Sequence, residues 1–108
     1  MRILFDQGTP VHIARSLTSH TVRTARQQGW SSLSNGDLLR AAEAAGFDVL
    51  LTTDRNLVYQ QNLKARKIAI VVLSKNRWIL MQPKLPQIVA AVESTRPGSY
   101  AEVEIPER

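Results

Sequence analysis

The sequence predicts an α/β fold, a single three-layer domain in which a mainly parallel sheet carries helices on both faces. Three observations predict it. Short apolar runs that suit strands alternate with longer segments of helical periodicity. Several of those runs are apolar throughout, as strands covered on both sides are. The 108 residues, 44% hydrophobic and 21% charged, match one ordinary globular core. The domain is expected over residues 1–98, with 99–108 as a C-terminal strand or tail.

Arg2-Ile3-Leu4-Phe5 is an apolar run stopped by Asp6-Gln7-Gly8, so it reads as a buried first strand with Asp6 at its carboxyl end. Thr9-Pro10 is a helix start, Thr9 as N-cap and Pro10 in the first helical position, and Val11, Ile13, Ala14 and Leu17 supply an apolar face. His20 to Thr24 has the β-branching of a short strand, and Gln27-Gln28-Gly29-Trp30 turns out of it. After the turn-rich stretch from Ser31 to Gly36, the segment from Asp37 to Gly46 carries strong helix formers and ends on Gly46 at C′. Asp37 falls in its first turn. Asp48 to Thr53 is apolar enough for a central strand, and Asp54 ends it.

Leu57 to Lys67 is expected as an amphipathic helix, and Ile68 to Leu73 as the strongest strand, stopped by Ser74-Lys75-Asn76. Pro83 to Thr95 gives a last helix with Leu85, Ile88, Val89 and Val92 on one face, closed by Pro97-Gly98. Tyr100 to Ile105 alternates as a strand would, but it follows the final helix. It is expected at an edge or packed on a partner, and a homodimer would absorb it.

Without cysteine the chain can build neither a disulfide framework nor a thiolate zinc site, which suits a reducing compartment. The longest apolar run, Ile68 to Leu73, is far too short to span a bilayer, and Asp6 interrupts the start before a secretory hydrophobic region forms. A cytoplasmic protein with no membrane partner is expected. Fourteen Lys and Arg against nine Asp and Glu leave a net charge of +5. That charge serves a polyanionic partner or solubility alone.

In an open parallel sheet, ligands bind beyond the carboxyl ends of the strands, where connections diverge to opposite faces. Asp6 and Asp54 end strands there, and Asp37 opens a helix at the same edge. Taken singly, each reads first as a turn or capping residue, Asp37 above all. Taken together, three carboxylates in one cleft would repel unless a cation sat among them, and Mg2+ or Mn2+ suits oxygen ligands of this kind.

Ile3-Leu4-Phe5-Asp6-Gln7-Gly8-Thr9-Pro10, Ser34-Asn35-Gly36-Asp37-Leu38-Leu39 and Leu51-Thr52-Thr53-Asp54-Arg55-Asn56 resemble the motifs of short PIN-like proteins grouped with the VapC-type toxin nucleases. In that family an acid ends the first strand, another opens a helix, and a further one follows a strand in a Thr-x-Asp context. Asp6, Asp37 and Asp54 take those places over a match running from about Met1 to Ser74. The resemblance implies a metal-dependent endoribonuclease, with the three aspartates catalytic and metal-binding, and an antitoxin protein as masking partner. The chain departs from the family in having no Asp or Glu between Asp6 and Asp37. This thins the ligands for a two-metal site, and it keeps a catalytically inactive RNA- or protein-binding module as the alternative.

Gln7, Asn35, Arg55, Asn56, Lys75 and Arg77 are candidate RNA contacts near the same edge. Turn formation explains the amides equally well, and Lys64, Arg66 and Lys67 read as solvated. Trp78 is a base platform or a packing residue, and His12 and His20 read as surface residues without partners. A third reading is a phosphoacceptor domain, with Asp54 phosphorylated and Ser74-Lys75 supplying a hydroxyl and a cation. Its acidic pair after strand one is missing, because Gln7 follows Asp6.

Overall fold

A computed structural model describes residues 1–57 and 66–107. Among these, β1 (Arg2–Phe5), β2 (Thr21–Thr24), β3 (Val49–Thr52), β4 (Ala69–Leu73) and β5 (Tyr100–Val103) form one all-parallel sheet in the order β2-β1-β3-β4-β5. The fold is α/β. Helix α1 (Asn35–Ala44) joins β2 to β3, whereas α2 (Trp78–Met81), a 3-10 turn (Gln82–Lys84) and α3 (Leu85–Glu93) join β4 to β5. Between β1 and β2 lies a 3-10 helix, Val11–Ser16.

Strand alternation divides the core between two faces of the sheet. On one face, Ile3, Phe5, Val49, Leu51, Val71 and Leu73 pack against Ile13 and Leu17 of the first connection and Met81, Ile88 and Val92 of the last. Leu4, Leu50, Ile70 and Val72 point the other way, onto Leu38, Leu39 and Ala42 of α1. The central strands β3 and β4 are buried at every position, which is why their sequences are apolar throughout.

β1 and β3 are neighbours, paired Ile3 to Val49 and Phe5 to Leu51. The chain leaving β1 crosses the face that buries Ile13, while the chain leaving β3 buries Leu57 on the α1 face. Their connections therefore diverge, and the crevice of this open sheet falls between Asp6 and Thr52.

Several local expectations change. Thr9 does not cap an α-helix; it is buried, and its hydroxyl donates to the Leu51 carbonyl at 3.1 Å. Gly8, at φ +86°, turns the chain inward to allow this, and a Cβ there would stand 3.4 Å from Thr53 Oγ1. Helix α1 begins two residues before Asp37, since Ser34 is the N-cap, but Gly46 holds its expected place beyond the end at φ +83°. The last helical stretch starts at Trp78 rather than Pro83. Tyr100–Val103 takes the edge position expected of it, pairing in parallel with β4 within the sheet of this same chain. The helix expected over Leu57 to Lys67 lies mostly outside the described residues. None of the described helices is long and apolar enough to cross a membrane.

Candidate functional site

The ladder between β1 and β3 continues one residue beyond β1, with the Asp6 N–H donating to the Leu51 carbonyl at 3.0 Å. Asp6 is thereby set beside Thr52, on the same face of the sheet. Thr52 is fully buried; its hydroxyl donates to Asp6 Oδ2 at 2.9 Å, and its Oγ1 accepts the Asp54 N–H at 3.0 Å. One hydroxyl holds both aspartates. The Asp6 carboxylate also accepts the Gln7 N–H at 2.8 Å. Asp54 accepts the Asn56 N–H at 2.9 Å on Oδ1 and the Asn35 side-chain amide at 3.0 Å on Oδ2, which ties the start of α1 to the end of β3.

Burial pushes the Asp6 carboxyl above its ordinary range, and the charge of Asp54 adds to the effect against the opposing hydrogen bonds from Thr52 and Gln7. Among the described residues, neither Asp6 nor Asp54 has an ion-pair partner, so no ion pair offsets the negative charge at the switch point.

Asp37 is placed differently. Its N–H donates to Ser34 Oγ at 3.4 Å, the Ser34 hydroxyl donates back to its carboxylate at 3.1 Å, and Arg40 forms an ion pair with it one turn along. The Arg40 hydrogen bond, followed by that of Ser34, holds this exposed carboxyl below its ordinary range. The structure thus joins Asp6 and Asp54 and engages Asp37 at the helix cap. Among the described residues, no three His, Cys, Asp or Glu side chains gather as a metal-binding group.

Of the candidate RNA contacts, Asn35 and Asn56 support Asp54, whereas Gln7 is exposed beside Asp6. Arg55 pairs with Glu102 at 3.0 Å and Lys75 with Glu107 at 3.5 Å, so both guanidinium and ammonium are turned toward the C-terminal segment. Arg77 is exposed and has no ion pair among the described residues. The Ser74 hydroxyl, required near a phosphoacceptor, instead accepts the Ile105 N–H at 2.7 Å. That engagement disfavours the phosphoacceptor reading.

Two participants escaped the sequence reading. Thr52 sat inside a recognised Thr-x-Asp run without a role of its own, and its burial beside Asp6 supplies one. Arg26 lines an open cleft of about 310 Å3 with Asp6, Gln7, Val11 and Thr24, and it too lacks an ion pair among the described residues. Its signal was positional, since β2 pairs Thr24 with Phe5 and so delivers Arg26 to the edge that carries Asp6.

Two surface assignments change, those of His20 and Arg66, while His12 stays exposed but gains a partner. His20 accepts from the Met1 amino group on Nδ1 at 3.1 Å and donates from Nε2 to the Glu93 carboxylate at 2.9 Å, and His12 stacks on Trp78. Arg66 is not solvated; it pairs with Glu43 at 2.5 Å in a partly buried setting.

Comparison with protein-family models, curated proteins and solved structures finds no match. Function is therefore read from the chemistry of the switch point. Two carboxylates, supported by a hydroxyl and an amide, offer a set of hard oxygen donors. Such a pair fits Mg2+ or Mn2+, which bind through one or two carboxylates and leave the remaining positions to water and substrate phosphate.

Proposed function

We propose that this chain is a PIN-like, metal-dependent endoribonuclease whose Asp6 and Asp54 hold Mg2+ or Mn2+ at the β1–β3 switch point. The observation that supports it most is that the buried Thr52 hydroxyl holds both the Asp6 carboxylate and the Asp54 backbone N–H, which brings the two residues close enough for the Asp54 charge to act on the Asp6 carboxyl. A bound divalent ion would supply Lewis acidity toward water and toward the phosphodiester oxygens. Thr52 orients Asp6, and Asn35 with the Asn56 N–H orients Asp54, so that both carboxylates are fixed before any ligand arrives. Arg26 draws the RNA phosphate into the cleft beside Asp6. Asp37 adds negative charge at the α1 start and, through the cap, places Asn35. Service as the toxin of a toxin–antitoxin pair, masked by an antitoxin protein, rests on the motif resemblance alone.

A second reading is a PIN-like RNA-binding module without turnover, favoured by the engagement of Asp37 with Arg40, which leaves two carboxylates at the crevice. One experiment separates them: mixed RNAs incubated with purified wild type and with Asp54→Asn, each with Mg2+, Mn2+ or chelator. Nuclease action gives products only with wild type and metal. RNA retention without products selects the binding module, and cleavage that survives chelator or Asp54→Asn contradicts the metal mechanism.

A further inference from the structure

Beyond the carboxylates, an aromatic pair stands at the same end of the sheet. His12 and Trp78 stack with ring centroids 5.1 Å apart and planes 27° apart. They come from the connections that leave β1 and β4, and both connections start at the carboxyl edge. Trp78 is half-buried against the core that contains Met81 and Ile88, which fixes its indole, whereas His12 is exposed. An exposed imidazole is thus backed by an indole that is itself packed on the core.

The surroundings favour a polyanion carrying flat rings. Residues three apart eclipse in a 3-10 helix, so Arg15 lies on the His12 side, and Arg77 directly precedes Trp78. Arg15, Arg77 and Arg26 are exposed and have no ion pairs among the described residues. Val11, 58% exposed, and Ile79, 67% exposed, flank the pair with apolar surface. Val11, which directly precedes His12, is also a wall of the cleft that holds Asp6 and Arg26.

We propose that the His12–Trp78 stack is a nucleobase-binding subsite, which extends by one ring when an unpaired RNA base lies on His12 while the neighbouring phosphates meet Arg15, Arg77 and Arg26. This deepens the endoribonuclease reading and rests on it for the nature of the chain bound. A base can offer its face only when it has left a duplex, so the subsite selects single-stranded RNA. A protein partner would instead use Val11 and Ile79 without need of the imidazole.

The test uses Asp54→Asn protein, which keeps the RNA intact, and a fluorescently labelled oligoadenylate, free or annealed to oligouridylate, at fixed salt. His12→Ala in that background is expected to weaken binding of the free strand about tenfold and leave duplex binding unchanged, with His12→Phe restoring the free-strand affinity. Equal affinity in the His12→Ala protein, equal affinity of the Asp54→Asn parent for strand and duplex, or no RNA binding would each overturn the subsite. The two proposals fail separately. Wild type that binds through His12 but yields no products with metal refutes the nuclease and keeps the subsite, whereas cleavage with a binding-neutral His12→Ala refutes the subsite and keeps the nuclease.

Discussion

Thr52 and Asp6 meet across adjacent parallel strands, the buried hydroxyl donating to the carboxylate at 2.9 Å while its oxygen receives the Asp54 N–H. Thr52→Val keeps the shape and removes the hydroxyl, so it takes one hydrogen bond from the half-buried Asp6 carboxylate and leaves the Asp54 N–H without its acceptor. Unfolding in urea should show a loss of about 1–3 kcal/mol. Thr52→Ser, which retains the hydroxyl, should lose clearly less; equal losses would mean that packing alone explains Thr52.

Asp6 yields a pH prediction. Its folded-state pKa lies above the ordinary value of 3.8, chiefly through burial. Between the two values the folded protein binds the proton more tightly than the unfolded chain, so this group's contribution to stability falls as pH rises through that window. At neutral pH, Asp6→Asn should raise the metal-free melting temperature by about 1–2 °C, a small shift because solvent screens this partly exposed carboxylate. The advantage should shrink as the pH is lowered toward 4 (about the carboxylate range). A variant that melts below wild type at neutral pH would show that the hydrogen bonds of Asp6 outweigh its charge.

Arg26 should act on RNA through charge. Arg26→Ala is expected to raise KM for RNA with little change in kcat, and to flatten the dependence of log affinity on log salt by about one phosphate contact. An unchanged salt slope would remove Arg26 from the RNA path.

Asp37 should rank below its partners. Because its carboxylate is engaged by Ser34 and Arg40, Asp37→Asn should weaken Mn2+ binding less than Asp6→Asn or Asp54→Asn does. Equal losses for all three, read by calorimetric titration, would place Asp37 among the direct ligands.

Much of this arrangement was legible in the sequence, and the limits have physical causes. Strands β1, β3 and β4 declare themselves because burial on both faces demands apolar runs, and each aspartate marks where a run must stop. The placement of Asp6 and Asp54 at one edge followed from parallel pairing. What local sequence cannot carry is the competition between distant groups. Thr9 reads as an N-cap until β3 offers its Leu51 carbonyl from 42 positions away. Asp37 reads alone as a cap and only in company with Asp6 and Asp54 as a ligand, and its local partners Ser34 and Arg40 hold it at the cap. Tyr100–Val103 looked surplus because nothing local reveals that β4 has a free side on which it can pair.

The central claim is that Asp6 and Asp54 together bind a divalent cation, and the most direct measurement is calorimetric titration of Mn2+ into wild type, Asp6→Asn and Asp54→Asn at neutral pH. Saturable binding at one site in the wild type, abolished by either substitution in proteins that remain folded, is the expected result. Absence of binding to the wild type, or binding that survives both substitutions, would contradict it.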